Sequence, residues 1–306
     1  MSASLVFAQA LNGLQLGVLL FLLSAGLTLV LGIMNFVNLA HGSLFMMGAY
    51  FAAAAFGATQ SFVLAGVAAI GGTLVLGVAV ERLVLARLYQ RDHLYQVLGT
   101  FGLILVFNEV ARFFWGQAPV FMTVPQMLAG TVQLDPVAYP AYRFAIIVVG
   151  LLVGVALYLV IHRTRAGMLI RAGASDPQML SALGVDNGLV SALVFAVGAA
   201  LAGLAGLMAG PILTVQPGMG EPILILALVV LVTGGIGSIR GAFYGALIVG
   251  VVDTIGRAFL PGLLREVVER SLAQNAGPAI ASMLIYFLMA AVLAFRPAGL
   301  FPVKHG

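Results

Sequence analysis

Windows of about 20 apolar residues recur from one end of this chain to the other, and each is long enough to carry a helix across roughly 30 Å of hydrocarbon. That recurrence leaves few folds open. In a bilayer every backbone N–H and C=O must be satisfied within the protein, and a helix does so segment by segment. Composition agrees: 62% of the 306 residues are hydrophobic and the mean hydropathy is +1.14, well above the roughly 45–50% apolar content of soluble domains. The expected fold is all-α, a polytopic transmembrane helix bundle. Spans are read near 9–33, 36–57, 61–86, 96–115, 142–162, 190–212, 222–236, 241–260 and 277–295, giving eight to ten crossings with a broken or re-entrant segment. The interruptions fall around Asn35 and within 222–260, where Gly-Gly breaks the apolar pattern. The opening MSASLVFAQALNGLQLGVLL carries no Lys or Arg, so it lacks the charged start of a secretory leader and is expected to be retained. Residues 1–306 read as a single transmembrane domain, its longest polar stretches being loops near 116–141 and 163–189.

Orientation follows from the loops, because Lys and Arg resist translocation. Placing Arg82, Arg87, Arg91, Arg163, Arg165, Arg171, Arg240, Arg296 and Lys304 on the cytoplasmic side puts nine of the 14 basic residues there and five outside. The 163–189 passage is then cytoplasmic and the 116–141 loop external. The formal charge of +4 does not point to nucleic acid, since no dense basic cluster or aromatic-basic interleaving occurs. Cysteine is absent, which excludes disulfides and thiolate metal sites.

The passage IHRTRAGMLIRAGASDPQMLSALGV, residues 161–185, is polar within an otherwise oily chain. RAGMLIRAG flanks three apolar residues with arginines and can lie at an interface. Ser175-Asp176-Pro177 then supplies a side-chain cap and a proline at the first helical position, and Gly184 is placed to stop the helix. Met179, Leu180 and Leu183 share one face by three-and-four spacing, a small apolar ridge in the aqueous phase. Such a ridge either folds back on the protein's own helix ends or headgroups, or docks a partner.

Four passages carry a family resemblance: GLTLVLGIMNFVNLAHGSLFMMGAY (26–50), RTRAGMLIRAGASDPQMLSALGV (163–185), GGIGSIRGAFYGALIVG (234–250) and RPAGLF (296–301). Together they resemble the permease subunits of branched-chain amino acid ABC importers, a group that also includes urea, amide and some sugar permeases. Val37-Asn38-Leu39 replaces a more usual Ile-Asn-Phe, a conservative departure. The resemblance implies a multi-pass protein of the bacterial inner membrane, without cofactor or metal. It implies four kinds of partner: cytoplasmic ATPase subunits, a second related permease, an extracytoplasmic solute-binding protein and a small solute. It makes 163–189 the coupling loop, with Arg163, Arg165, Arg171, Asp176, Pro177, Met179, Leu180, Leu183 and Gly184 as ATPase-coupling residues. Branched-chain amino acids are the modal solute; urea, short amides and aromatic acids stay open. The residues independently require a separate ATPase. A P-loop needs Gly-x-x-x-x-Gly-Lys-Ser/Thr, and the one lysine, Lys304, is followed by His305.

Polar groups inside a membrane usually face a bundle interior, so Asn12, Gln15, Asn35, Asn38, His41, Ser43, Asn108 and Thr233 are candidates for the translocation path. Asn38 and His41, three apart, are expected on one helix face. The competing role is hydrogen bonding to neighbouring helices, or capping the break near Gly32 and Asn35. Gly206 with Gly210, Gly237 with Gly241, and Gly241 with Gly245 have the small-xxx-small spacing that lets helices approach closely. Glu109 with Arg112 and Asp253 with Arg257 are spaced to pair within a helix. GGIGSIRG resembles a dinucleotide loop only superficially, lacking its spacing and strand. A membrane-embedded enzyme would need Ser238, His41 and Asp253 to converge, but Ser238 and Asp253 are separated by over a dozen helical residues, about 20 Å. His41 also has no partner at a metal-ligand spacing. An ion-coupled carrier working without an ATPase is the remaining alternative.

Overall fold

The computed structural model describes residues 3–34, 36–267 and 270–302. Asn35, Lys304 and His305, singled out above, lie outside the described residues. Among the described residues eight helices are long and apolar enough to cross a membrane, and a ninth apolar helix is shorter, so the protein is a multi-pass helical bundle. In chain order these are α1 (Ala3–Met34), α2 (His41–Thr59), α3 (Phe62–Val80) and α5 (His93–Trp115). α6 (Ala141–Arg163), α9 (Asn187–Ala209), α10 (Gly220–Gly234), α11 (Ile239–Val267) and α12 (Arg270–Phe295) follow. α3 continues through one π-helical turn, Glu81–Leu85, into the short α4 (Ala86–Leu88). Two further helices, α7 (Arg165–Ser175) and α8 (Pro177–Ala182), fill the polar passage between α6 and α9.

α1, α2 and α9 make the buried centre, while α3, α5, α6, α11 and α12 leave most of their spans facing outward. Apolar outward faces are what a bilayer requires of a bundle's rim. The centre is held by close approach rather than by bulk. α1 runs antiparallel to α11: a Cβ on Gly13 would stand 2.7 Å from Val251 Cα, and one on Gly17 2.8 Å from Ala246 O. α1 and α9 meet where a Cβ on Gly26 would stand 2.7 Å from Gly198 O. Gly206 packs against Phe45 and Ala49 of α2, Gly245 against Val230 of α10, and Gly241 against Gly234. Gly210 faces the Met122 sulfur.

Two interruptions position the interior. Between α1 and α2, residues 36–40 are irregular and buried apart from Val37 and Leu39. The imidazole of His41, the first residue of α2, reaches Leu23 O on α1 at 3.2 Å, about three turns before α1 ends. α2 therefore starts deep in the bundle. α10 starts there too, Gly42 packing against Gly220. The second interruption is a turn at 235–238, where Gly235 and Gly237 take φ of 112° and 77°.

Two expectations need correction. Asn38 does not share a helix face with His41, because it lies before α2, where its side-chain oxygen accepts from Ala40 N at 3.0 Å. Gly237 shares no helix face with Gly241, since it sits in the turn before α11 and meets Gly32 of α1. The 116–141 loop has local structure of its own. It holds a two-stranded antiparallel hairpin, β1 (Thr131–Leu134) with β2 (Val137–Pro140), and Val120 bridges to Val215 beyond α9.

Candidate functional site

At the end of the bundle where α1 and α6 begin, polar side chains gather around a cavity of about 450 Å³. Asn12 is their hub: its Oδ1 accepts from Arg143 Nη1 at 2.7 Å and from the Tyr139 hydroxyl at 3.1 Å, and its Nδ2 donates to Gln9 at 3.1 Å. Burial pushes the Tyr139 phenol up, the Arg143 charge opposing. Across the cavity Asp253 of α11 is buried and accepts from Arg257 Nε at 2.9 Å on both oxygens. Gln15, also buried, lines the cavity one turn below Asn12. The deeper wall is apolar, from Leu16, Leu19, Leu213 and Ile223, the last lying in the first turn of α10.

Asn12 and Gln15 are thus the two sequence-stated candidates that share this cavity. Arg143 is the charged member that sequence reading missed, along with its neutral neighbours Gln9 and Tyr139. Its signal was available: unlike Arg112 and Arg257, which pair with Glu109 at 2.6 Å and Asp253 at 2.9 Å, Arg143 has no carboxylate three or four residues away.

The remaining polar candidates are engaged elsewhere. Asn108 ties α5 to the start of α10, donating to Glu221 Oε1 at 2.6 Å and accepting from Gly218 N at 2.9 Å. Thr233 donates back to Val229 O and Val230 O of its own helix. Ser43 is buried in the first turn of α2. His41 Nε2 carries the proton that meets Leu23 O, because a carbonyl only accepts, and its Nδ1 has no partner among the described residues. Ser238, His41 and Asp253 do not assemble: Ser238 Oγ accepts from Gly241 N at 3.0 Å, capping α11, while Asp253 holds Arg257. One buried carboxylate went unnoticed in sequence, Glu81 on the π-helical turn, reached by the Tyr89 hydroxyl at 3.3 Å and by Arg82 at 3.5 Å.

At the opposite end, α6 gives way to α7 and α8. Thr164 Oγ1 accepts from Gly167 N at 3.1 Å and starts α7; the Arg171 guanidinium donates to Ile161 O, closing the corner. Asp176 Oδ1 accepts from Met179 N at 2.9 Å with Pro177 next in line, and Gly184 at φ 82° ends the turn after α8. Arg163 and Arg165 are exposed. The expected three-residue ridge is divided: Met179 and Leu183 are 59% and 74% exposed, but Leu180 is 4% exposed and packs on the face of Gly173 in α7. One apolar anchor therefore fixes α8 to the protein and two apolar residues point away from it.

The comparisons with known proteins agree with this architecture. Residues 9–293 match the family described as branched-chain amino acid transport system / permease component. The chain is 30% identical to the high-affinity branched-chain amino acid transport system permease protein BraD of Pseudomonas aeruginosa, over 95% of this chain and 94% of the relative. It is 30% identical to the corresponding permease protein LivH of Salmonella typhimurium and 28% identical to LivH of Escherichia coli K12, each over 86% of this chain and 90% of the relative. No solved structure matches. A multi-pass bundle with discontinuous interior helices, a polar cavity at one end and an amphipathic helix pair at the other is the frame of a transport subunit, not of an enzyme, and the chain belongs to the family of permease components of branched-chain amino acid ABC transport systems.

Proposed function

We propose that the protein is the membrane path of an importer, open to solute at the Asn12–Arg143 cavity and driven from the α7–α8 end by a separate ATPase. The single observation that carries this is the division of α8. Leu180 buries itself on Gly173, while Met179 and Leu183 stay exposed on a helix capped at Asp176 and stopped at Gly184. A six-residue helix has little stability of its own, so two large exposed apolar side chains on an anchored one fit a surface that another protein covers. Arg163, Arg165 and Arg171 beside it supply positive charge on the same side, in keeping with a cytoplasmic face. Displacement of α8 would be passed through α7 to α1, which Ile33 and Gly173 join, and so to the bundle.

The partners follow from this division of labour. ATPase subunits would grip α8 in the cytoplasm, a second related permease would complete the path, and an extracytoplasmic binding protein would deliver the solute over the hairpin face. The setting would be a bacterial inner membrane; the solute would be a branched-chain amino acid, the class that the names of the relatives give for those proteins. Residues 1–306 would act as one domain. Proteoliposomes test this: radiolabelled L-leucine should accumulate only when ATPase, binding protein, companion permease and ATP are all present. Uptake by this chain alone, without ATP, would contradict the proposal and favour an ion-coupled or channel-like carrier.

A further inference from the structure

The cavity at the start of α1 and α6 carries more positive than negative charge. Two arginines, Arg143 and Arg257, line it against one carboxylate, Asp253. Asp253 spends its charge on Arg257, bound through Nε alone. Arg143 has only neutral partners, the Asn12 amide oxygen and the Tyr139 hydroxyl, and no carboxylate within ion-pair distance among the described residues. A guanidinium has five N–H donors in a planar fork that matches a carboxylate, and a single one of Arg143's is directed at Asn12. A half-buried arginine with neutral contacts alone is a costly arrangement unless an anion completes it.

Two other features restrict the anion. Amide side chains of Gln9 and Gln15 and the carboxylate of Asp253 line the same cavity, and a carboxylate has about four acceptor positions, of which Arg257 occupies two. The deeper wall is aliphatic, and the volume of about 450 Å³ falls among the roughly 300–1,000 Å³ of small-molecule sites. A ligand that satisfies all three needs a carboxylate, an adjacent cation and an aliphatic group.

We propose that this cavity is a subsite for a zwitterionic aliphatic α-amino acid. Arg143, oriented by Asn12, receives the carboxylate; Asp253 and the glutamine amide oxygens face the ammonium; Leu16, Leu19 and Ile223 receive the side chain. The subsite rests on the import function proposed above and gives the path a chemical filter of its own, separate from any binding protein. Because Ile223 belongs to the first turn of α10, the aliphatic end of the ligand would lie against the deep-starting interior helix, at the entrance to the bundle centre.

The absence of native cysteine makes a direct test available. A single Thr254→Cys substitution places a thiol in the cavity wall of the full transporter, reconstituted in vesicles, and its conversion to a mixed disulfide by a methanethiosulfonate reagent, with release of methanesulfinate, is timed. L-Leucine should slow the reaction about tenfold at about nine times its Kd. Leucinamide, which lacks the carboxylate, and 4-methylpentanoate, which lacks the ammonium, should protect far less. Adding Arg143→Gln should raise the protecting concentration of leucine at least about tenfold, as loss of a charge-assisted contact does; Arg143→Lys, which keeps the charge, should fall between. The subsite is overturned if leucine leaves the rate unchanged or if all three compounds protect alike. Leucine uptake in the same vesicles separates the two ideas: ATP-driven uptake without protection removes the subsite alone, whereas protection without ATP dependence removes the driven-import reading alone.

Discussion

Asn108 and Thr233 have the same apparent chemistry in sequence, a polar group in an apolar helix, yet they have opposite roles in stability. Asn108 joins α5 to Glu221 and Gly218, more than a hundred residues away, and its loss strands a carboxylate whose other oxygen already has no partner among the described residues. Asn108→Ala should therefore destabilise the protein by about 1–3 kcal/mol, read as a lowered thermal midpoint in detergent. Thr233 donates only to its own helix, so Thr233→Val should stay within about 1 kcal/mol of the parent. Equal losses for the two would mean that Asn108 is not the strut the geometry makes it. The same contrast shows what could be read from the chain in advance. Glu109–Arg112 and Asp253–Arg257 were legible because both partners lie within one helical turn. Arg143–Asn12 was not, since 131 residues separate them and only the fold brings them together.

Among elements, local signals carried furthest. The cap at Asp176, the proline after it and the positive-φ stop at Gly184 were all visible in ten residues, because each acts on its neighbours' backbone. The face that α8 buries was not visible. Helical spacing grouped Met179, Leu180 and Leu183, but Leu180 goes inward, against Gly173 of α7. Leu180→Ser should thus loosen α8 and lower its protection from proteolysis, while Met179→Ser with Leu183→Ser should leave the thermal midpoint unchanged and abolish retention of the ATPase in pull-down. The glycine spacings behaved similarly. Gly206 and Gly241 do sit at helix crossings, whereas Gly237 makes a turn two residues before its helix begins at Ile239. Gly206→Leu, forcing a side chain against Phe45 and Ala49, should cost about 1–3 kcal/mol or prevent assembly. Gly57→Ala, with open space around it, should be neutral or stabilising by up to about 1 kcal/mol. Thermal midpoints of the pair give the comparison.

For the molecule as a whole, hydropathy alone identified a helical membrane protein and nearly all of its crossings, because a bilayer imposes one length and one polarity on every span. What hydropathy could not register is depth. Residues 36–40 return toward the bundle centre, so that α2 and α10 both begin inside it, a placement set by contacts of Gly42 with Gly220 and of His41 with Leu23. Such interior starts lie between two unlike ends of the bundle, a charged cavity at one and the exposed apolar residues of α8 at the other. The account depends on those ends lying on opposite sides of the membrane, with α8 held by a motor in the cytoplasm. A lone thiol introduced by Leu183→Cys, 74% exposed in the parent and free of competing cysteines, measures this directly with a membrane-impermeant maleimide. Labelling should require access from the cytoplasmic side and be blocked when the ATPase is bound; labelling of intact cells from outside, or labelling indifferent to the ATPase, would contradict it.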